Sequence, residues 1–372
     1  MSTVNPLTAL DISTLAGFKQ IIPGEITGEP VEALKRCGIT AFSSIAPGKS
    51  VIRTGSMSAL GNTFYGLQAQ AEKNMSVATF TLELLPRLNE LSTRAIQVGF
   101  RLTQKPVVLS QVKNTMLSIP RSASVPVRLN SVITATEETS TYCELVISTD
   151  SKETNATVQL YVNRLLMESV TLSMDSNNAV KPLALTVGSA FSPVKEDGFD
   201  FMVGDIYIAH LDYNSDHTVT PHLLGNLTLE PFTVASYSGD RHINTHNQDI
   251  VTALNTLSPD IDMGVLAVKP VAQPASVKFE LPDSTGKSIL GVALNVVYRD
   301  SVAPENRLHY RITEGTTQLP AETITARRAD VTGFSTFSKI LASPAGGGEW
   351  NAENLAFSLD LYNSPGVDCS PP

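Results

Sequence analysis

The feature that most constrains this chain is a period-two alternation of apolar and other residues that returns along most of its length. Ala95–Leu102 alternates around Ile96, Val98, Phe100 and Leu102. Tyr142–Ser148 places Tyr142, Glu144 and Val146 on one face and Cys143, Leu145 and Ile147 on the other. Val158, Leu160 and Val162 alternate with Gln159 and Tyr161, and Val77–Leu84 is rich in β-branched and aromatic residues. Successive side chains of a strand point to opposite faces, so this period predicts strands with one face toward a core. Polar turns such as Thr149–Asn155 separate the strands at roughly the 8–12-residue spacing of sandwich domains. A second series follows: Val292, Leu294 and Val296 share a face, Leu308, Tyr310 and Ile312 alternate with His309 and Arg311, and Phe357, Leu359 and Leu361 alternate with Ser358 and Asp360. Long helical periods are absent.

The expectation is an all-β chain of two consecutive antiparallel β-sandwich, jelly-roll-like domains behind a short N-terminal arm. Residues 1–40 form the arm, with a short helix over Glu29–Gly38. Pro30 suits the first turn of that helix, Lys35 and Arg36 come late, and Gly38 can end it. The rest of the arm has no strong period and is expected to dock on a neighbour rather than on its own chain. Residues 41–232 form the first sandwich. Residues 233–262 are a polar connection with a short helix near Gln248–Leu257, and residues 263–372 form the second sandwich and a Pro-rich C-terminal tail.

Composition narrows the function. Of 372 residues, 42% are hydrophobic and 17% charged, enough apolar material for two cores and too little charge for a disordered chain. The net charge of −9 and the absence of any Lys/Arg run argue against nucleic acid or an anionic membrane as partner. The first residues, MSTVNPLTAL, carry no basic region followed by an apolar core, and no apolar run approaches the length of a membrane span. Cys37, Cys143 and Cys369 have no metal-site spacing. They read as unpaired thiols, with an intermolecular disulfide through Cys37 and Cys369 as the alternative.

Motifs that would carry chemistry fail one by one. Gly286-Lys287-Ser288 lacks the Gly that a phosphate loop needs five residues earlier, where Leu281 stands. His242 and His246 have the spacing of two helix-borne ligands, but no Glu lies between them; they read as loop residues, with Asp240 and Asp249 nearby. His210, His217 and His222, with Asp212 and Asp216, read the same way. Glu196-Asp197-Gly198-Phe199-Asp200, leading to Asp205, is the best calcium candidate, against a plain polar turn. The carboxylate run of a glycosidase is missing; Glu280 and Asp283 are the nearest pair, and Pro282 breaks their spacing. No Gly-x-Ser-x-Gly occurs. The sequence therefore predicts no enzyme, no cofactor and no metal site. Trp350, after Gly346-Gly347-Gly348, reads as a plug sealing a sandwich end, or alternatively as a ring on which a ligand stacks.

Two stretches carry a family likeness. Val158–Val170 (VQLYVNRLLMESV), followed by Gly204-Asp205-Ile206-Tyr207-Ile208, resembles laminin-G or concanavalin-A-like jelly rolls, with Arg164 where such hairpins carry Gly. Leu294–Asp300, Arg307–Gly315 and Gly348–Asn354 resemble the C-terminal half of tailed-bacteriophage virion structural proteins, with Asn226 where a preceding strand motif has Asp. The resemblance implies a structural component of a phage particle (collar or neck, tail or capsid surface), assembled in the host cytoplasm. Its partners would be other virion proteins and copies of itself. The alternative is a carbohydrate-binding, host-attachment module on the particle surface, with Tyr65, Tyr213, Tyr237 and Trp350 as candidate rings.

Overall fold

A computed structural model describes residues 10–19, 24–26, 34, 37, 39, 42–45, 51–71, 79–105, 115–120, 126–128, 139–174, 182–189, 199–239, 243–244, 249–255, 266–267, 274–282, 287–298, 306–324, 335–351 and 356–365. The first half contributes β1 (Asp11–Ala16), β2 (Gly24–Glu25), β3 (Phe42–Ile45), β4 (Val51–Ala59), β5 (Asn62–Ala71), β6 (Thr79–Arg87) and β7 (Arg94–Lys105). It continues with β8 (Thr115–Pro120), β9 (Pro126–Arg128), β10 (Thr139–Thr149), β11 (Asn155–Val162), β12 (Leu165–Ser173), β13 (Pro182–Ser189) and β14 (Phe199–Asp212).

These strands make an antiparallel sandwich. A nine-stranded sheet runs β12-β11-β10-β7-β14-β5-β4-β2, with β1 also paired to β14; a five-stranded sheet runs β3-β6-β13-β8-β9. The expected alternation places the core. Ile96, Val98, Phe100 and Leu102 of β7 and Cys143, Leu145 and Ile147 of β10 face Phe80 and Leu82 of β6 and Leu185 and Val187 of β13. The Phe80 and Phe201 rings meet across the two sheets at 6.0 Å.

The N-terminal segment, expected to reach a neighbour, joins its own chain where it is described. Ala16 pairs with Ile206 and Leu15 with Tyr207, while Phe18, Ile26, Leu34, Cys37 and Ile39 are buried in the sandwich core. The sequence missed this because a strand borrowed by a preformed sheet needs no strong period of its own. Most of Glu29–Gly38 lies outside the described residues. The long strand β14 serves two partners: its first part pairs with β5 and its second with β1. The change falls at a bulge between Gly204 and Tyr207, where Asp205 takes a left-handed φ of 47°.

The second half contributes β15 (Thr233–Ser238), β16 (Ile243–Asn244), a helix α1 (Ile250–Asn255), β17 (Leu266–Ala267), β18 (Ala275–Glu280), β19 (Val292–Tyr298), β20 (Asn306–Glu314), β21 (Thr317–Gln318), β22 (Glu322–Thr323), β23 (Ser335–Leu341) and β24 (Phe357–Pro365). A sheet ordered β15-β18-β24-β20-β21, with β22 on β20, lies against the pair β19–β23. Tyr310 and Phe337 meet between them at 5.1 Å. Glu322 ties the same two layers, accepting from Tyr310 Oη at 2.5 Å and from Lys339 Nζ at 2.8 Å. Helix α1 falls inside the connection where a short helix was expected; Asp249 caps it by accepting from the Thr252 N–H at 2.9 Å.

Candidate functional site

Both faces of the nine-stranded sheet are covered at its centre. The face turned away from the core carries Gln97, Gly99 and Arg101 of β7, Tyr142 and Glu144 of β10, and Asp205 and Tyr207 of β14. Ordinary alternation would give these polar side chains to water. Instead Gln97, Arg101 and Glu144 are at most 5% exposed. The connection from Tyr213 to Phe232, here called the strap, lies over them. Leu290, Ala293, Ile340 and Ala342 of the second sandwich pack against the same apolar cluster, which includes Leu15, Tyr207 and Leu224.

The sheet holds the strap almost wholly by its main chain. Gln97 donates to the His222 carbonyl at 2.9 Å and accepts from the His222 N–H at 3.1 Å. Glu144 accepts from the N–H groups of Leu224 at 2.7 Å and Gly225 at 3.1 Å, and from Tyr207 Oη at 2.6 Å. Arg101 pairs with Asp205 at 2.8 Å and donates to the Leu227 carbonyl at 2.6 Å. Asp205 accepts from the Leu229 N–H at 3.0 Å, and Tyr142 Oη donates to the Asp205 carbonyl at 3.1 Å. Gly99 is required beneath this array: a Cβ there would meet the Tyr207 ring. Burial raises the Glu144 carboxyl above its ordinary range, against the pull of Tyr207 and the two strap N–H groups. Burial likewise pushes the Tyr207 phenol up, with Glu144 adding to it. The array is a latch. Its side chains are buried or nearly so, and each donor or acceptor just named is matched by the strap or by its neighbour.

The hairpin at the sheet edge is the opposite case. Asn163 and Arg164 connect β11 to β12 with φ of 48° and 68°, the two positive values of a type I′ turn. Arg164 donates to the Leu224 carbonyl at 2.7 Å and lies over Gly225, where φ is 74° and a Cβ would strike the guanidinium. Immediately after it, Leu165, Leu166 and Met167 are 68%, 53% and 58% exposed. Three consecutive residues can all face water because Met167 is an extra residue. Leu160 pairs with Glu168, and the next residue, Tyr161, pairs with Leu166. Leu60 at the β4–β5 tip is the other large exposed apolar residue among those described.

The residues singled out from sequence are scattered. Trp350 is buried in the second core, with its ring 5.9 Å from that of Phe357. Cys37 is buried in the first core, and Cys369 lies outside the described residues. Burial pushes the Cys143 thiol up to about 12. Lys287 reaches Glu230 at 3.5 Å. His217 stacks on Tyr213 at 4.0 Å, His222 is held through its main chain, Asp212 pairs with Arg94 at 2.9 Å, and Asp216 accepts from Thr218. His210 lies in β14 opposite Asp11. Asp240, His242, His246, Glu196, Asp197, Gly198 and Asp283 lie outside the described residues. Of the calcium candidate, Asp200 accepts from Gln68 at 2.6 Å and Asp205 is neutralised by Arg101, so the two serve different partners. Among the described residues no three His, Cys, Asp or Glu gather as metal ligands. Tyr65 and Tyr237 are half-buried, Tyr213 donates to the Leu91 carbonyl at 2.6 Å, and no described aromatic ring is exposed.

No family model matches the chain, and no curated protein matches it either. Some solved structures are similar to it. An alginate lyase bound to an alginate trisaccharide matches with a TM-score of 0.35 at 8% identity, over 55% of this chain and 100% of that one. Peanut lectin matches with 0.28 at 7% identity, over 46% and 97%. A carbohydrate esterase from the Shiga toxin-encoding bacteriophage phi24B matches with 0.30 at 10% identity, over 51% and 100%. Each of these is a likeness of fold alone. The expectation of no enzymatic activity is corrected by the lyase and the esterase among these neighbours. It rested on missing glycosidase and serine-hydrolase signatures, and those say nothing of elimination chemistry, where a Tyr, His or Lys can move the proton.

Proposed function

We propose that this chain is a structural component of a tailed-phage particle, at the collar or neck, the tail or the capsid surface, and that it acts through protein–protein contacts. One observation carries the reading: an apolar trio, Leu165, Leu166 and Met167, stands open on a sandwich whose other described large apolar side chains, Leu60 apart, are covered. Exposed apolar clusters on folded chains mark contact surfaces. The virion resemblance supports it as well. Its segments Leu294–Asp300 and Arg307–Gly315 overlap β19 and β20 where they are described, and Trp350 of the third lies in the core those strands build.

The other reading, a host-attachment module that binds carbohydrate, draws on the lectin and the carbohydrate-active proteins that share the frame. A sugar-stacking platform needs an exposed ring, and the described residues offer none. Protein mass spectrometry of purified particles tests the first reading: this chain is expected at a fixed copy number, and its absence from particles overturns the proposal. A glycan array probed with the full chain tests the second, where saturable binding to one glycan class would favour attachment.

A further inference from the structure

We infer that the corner of the first sandwich where β7 leaves the core and β10 enters it is an internal hydration site, with water held between the Gln104 amide and the Thr139 hydroxyl. The core-facing stripe of β7 runs Ile96, Val98, Phe100 and Leu102, and the next position on that face is Gln104. Antiparallel register puts Thr139 of β10 directly opposite it, so both side chains project from the same face of the sheet. The row continues across the sheet through Phe201, Ala69 and Ile52, all three in the first core. A row that is apolar from Ile52 to Phe201 thus ends in an amide and a hydroxyl.

Gln104 is only 2% exposed. Among the described residues neither its amide oxygen nor its amide nitrogen has a hydrogen-bond partner, and the shielded Thr139 hydroxyl has none either. An amide brings an acceptor and two donors, and a hydroxyl brings both kinds. Left unmatched away from solvent, each costs its desolvation, and buried polar groups of folded chains are matched by protein or by ordered water. Phe201, on the other side of Gln104, offers no polar side-chain atom, and its ring stands 6.0 Å from that of Phe80 in the opposite sheet. Water has the chemistry that fits. It donates to the amide oxygen or the hydroxyl, accepts from the amide nitrogen, and takes about three such partners in an interior site. The corner also has a route to solvent. Pairing of β11 with β10 starts at Cys143, so on that side Thr139, Ser140 and Thr141 have no strand beside them among the described residues.

Magnetic relaxation dispersion of water oxygen-17 nuclei, which counts long-lived internal waters, tests this on the full chain. Gln104→Met keeps the length of the side chain and removes both polar atoms; Thr139→Val keeps the shape and removes the hydroxyl. Each is expected to lower the dispersion amplitude by the equivalent of about one water. The double variant should lose no more than either single one, because both groups hold the same water. An unchanged amplitude in both single variants overturns the inference. Losses that add in the double variant overturn it too, since the two groups would then be hydrated separately. Thr139→Val is the conservative arm if Gln104→Met does not fold. A crystal structure of the wild type gives an independent readout. Density for water within hydrogen-bond reach of both Gln104 and Thr139 is expected, and a protein group bonded to the amide in its place would sink the site.

Discussion

The nine-stranded sheet meets its surroundings in opposite ways at two places. Under the strap, Gln97, Arg101, Glu144 and Asp205 are buried, and each is matched by main chain from His222 to Leu229. At the β11–β12 tip, Leu165, Leu166 and Met167 are apolar and open. The inversion teaches what each region is for. A buried polar array has high stakes, since each group left unmatched costs its desolvation; it holds one conformation, here the union of the strap and two sandwiches. An exposed apolar tip adds little to the stability of the chain that carries it. Arg164 joins the two regions, holding the strap through the Leu224 carbonyl while flanking the apolar trio.

This contrast can be broken at graded points. Asp205→Ala should have the largest effect, because it strands the buried Arg101 guanidinium and the Leu229 N–H. A loss of about 3–5 kcal/mol of stability is expected in urea unfolding. Gln97→Leu removes the donor and acceptor that read His222, and should cost about 1–3 kcal/mol with a loosening of the strap visible in amide exchange at His222. A normal exchange rate there would show that the strap is held by packing alone.

Glu144 gives a pH signature. Burial raises its carboxyl in the folded chain, so the folded state binds the proton more readily than the unfolded chain does. Its contribution to stability is therefore fully present below the ordinary carboxylate value, near about 4.3, and is lost as pH rises through the raised folded value. Stability measured against pH should fall across that window in the wild type, and this component should vanish in Glu144→Gln. A wild-type curve that rises across the window even after subtraction of the Glu144→Gln curve would contradict the burial argument.

The smallest effect belongs to the tip. Leu166→Asp should change unfolding stability by no more than about 0.5 kcal/mol at concentrations where the chain is monomeric. A larger loss would mean that the trio packs within its own chain. The thiol of Cys143, buried and pushed up to about 12, should resist alkylation until the chain unfolds.

The strands were legible in the sequence because alternation is local: Ile96, Val98, Phe100 and Leu102 needed only their own spacing to be placed on one face. The strand β1 was not, since its residues become a strand only by pairing with β14. The latch was half legible. Glu144 was placed on the face opposite Leu145, but alternation assigns such a face to water, and only a covering segment some eighty residues away makes it a buried ligand for Leu224 and Gly225. Arg101 and Asp205 are 104 residues apart and meet because β7 and β14 are neighbours in the sheet. The apolar trio was visible as letters, yet the alternation of β12 predicts that one of each two neighbours faces in. The bulge at Met167 decides otherwise.

By itself, then, the sequence determined the all-β class of fold and the acidic, lightly charged character of the chain. These follow from composition and from spacing within a few residues. The tertiary structure decided which polar residues are buried, what they hold, and which apolar residues remain open. Burial and pairing depend on segments far apart in sequence, and a strand's own pattern carries no record of what comes to cover it.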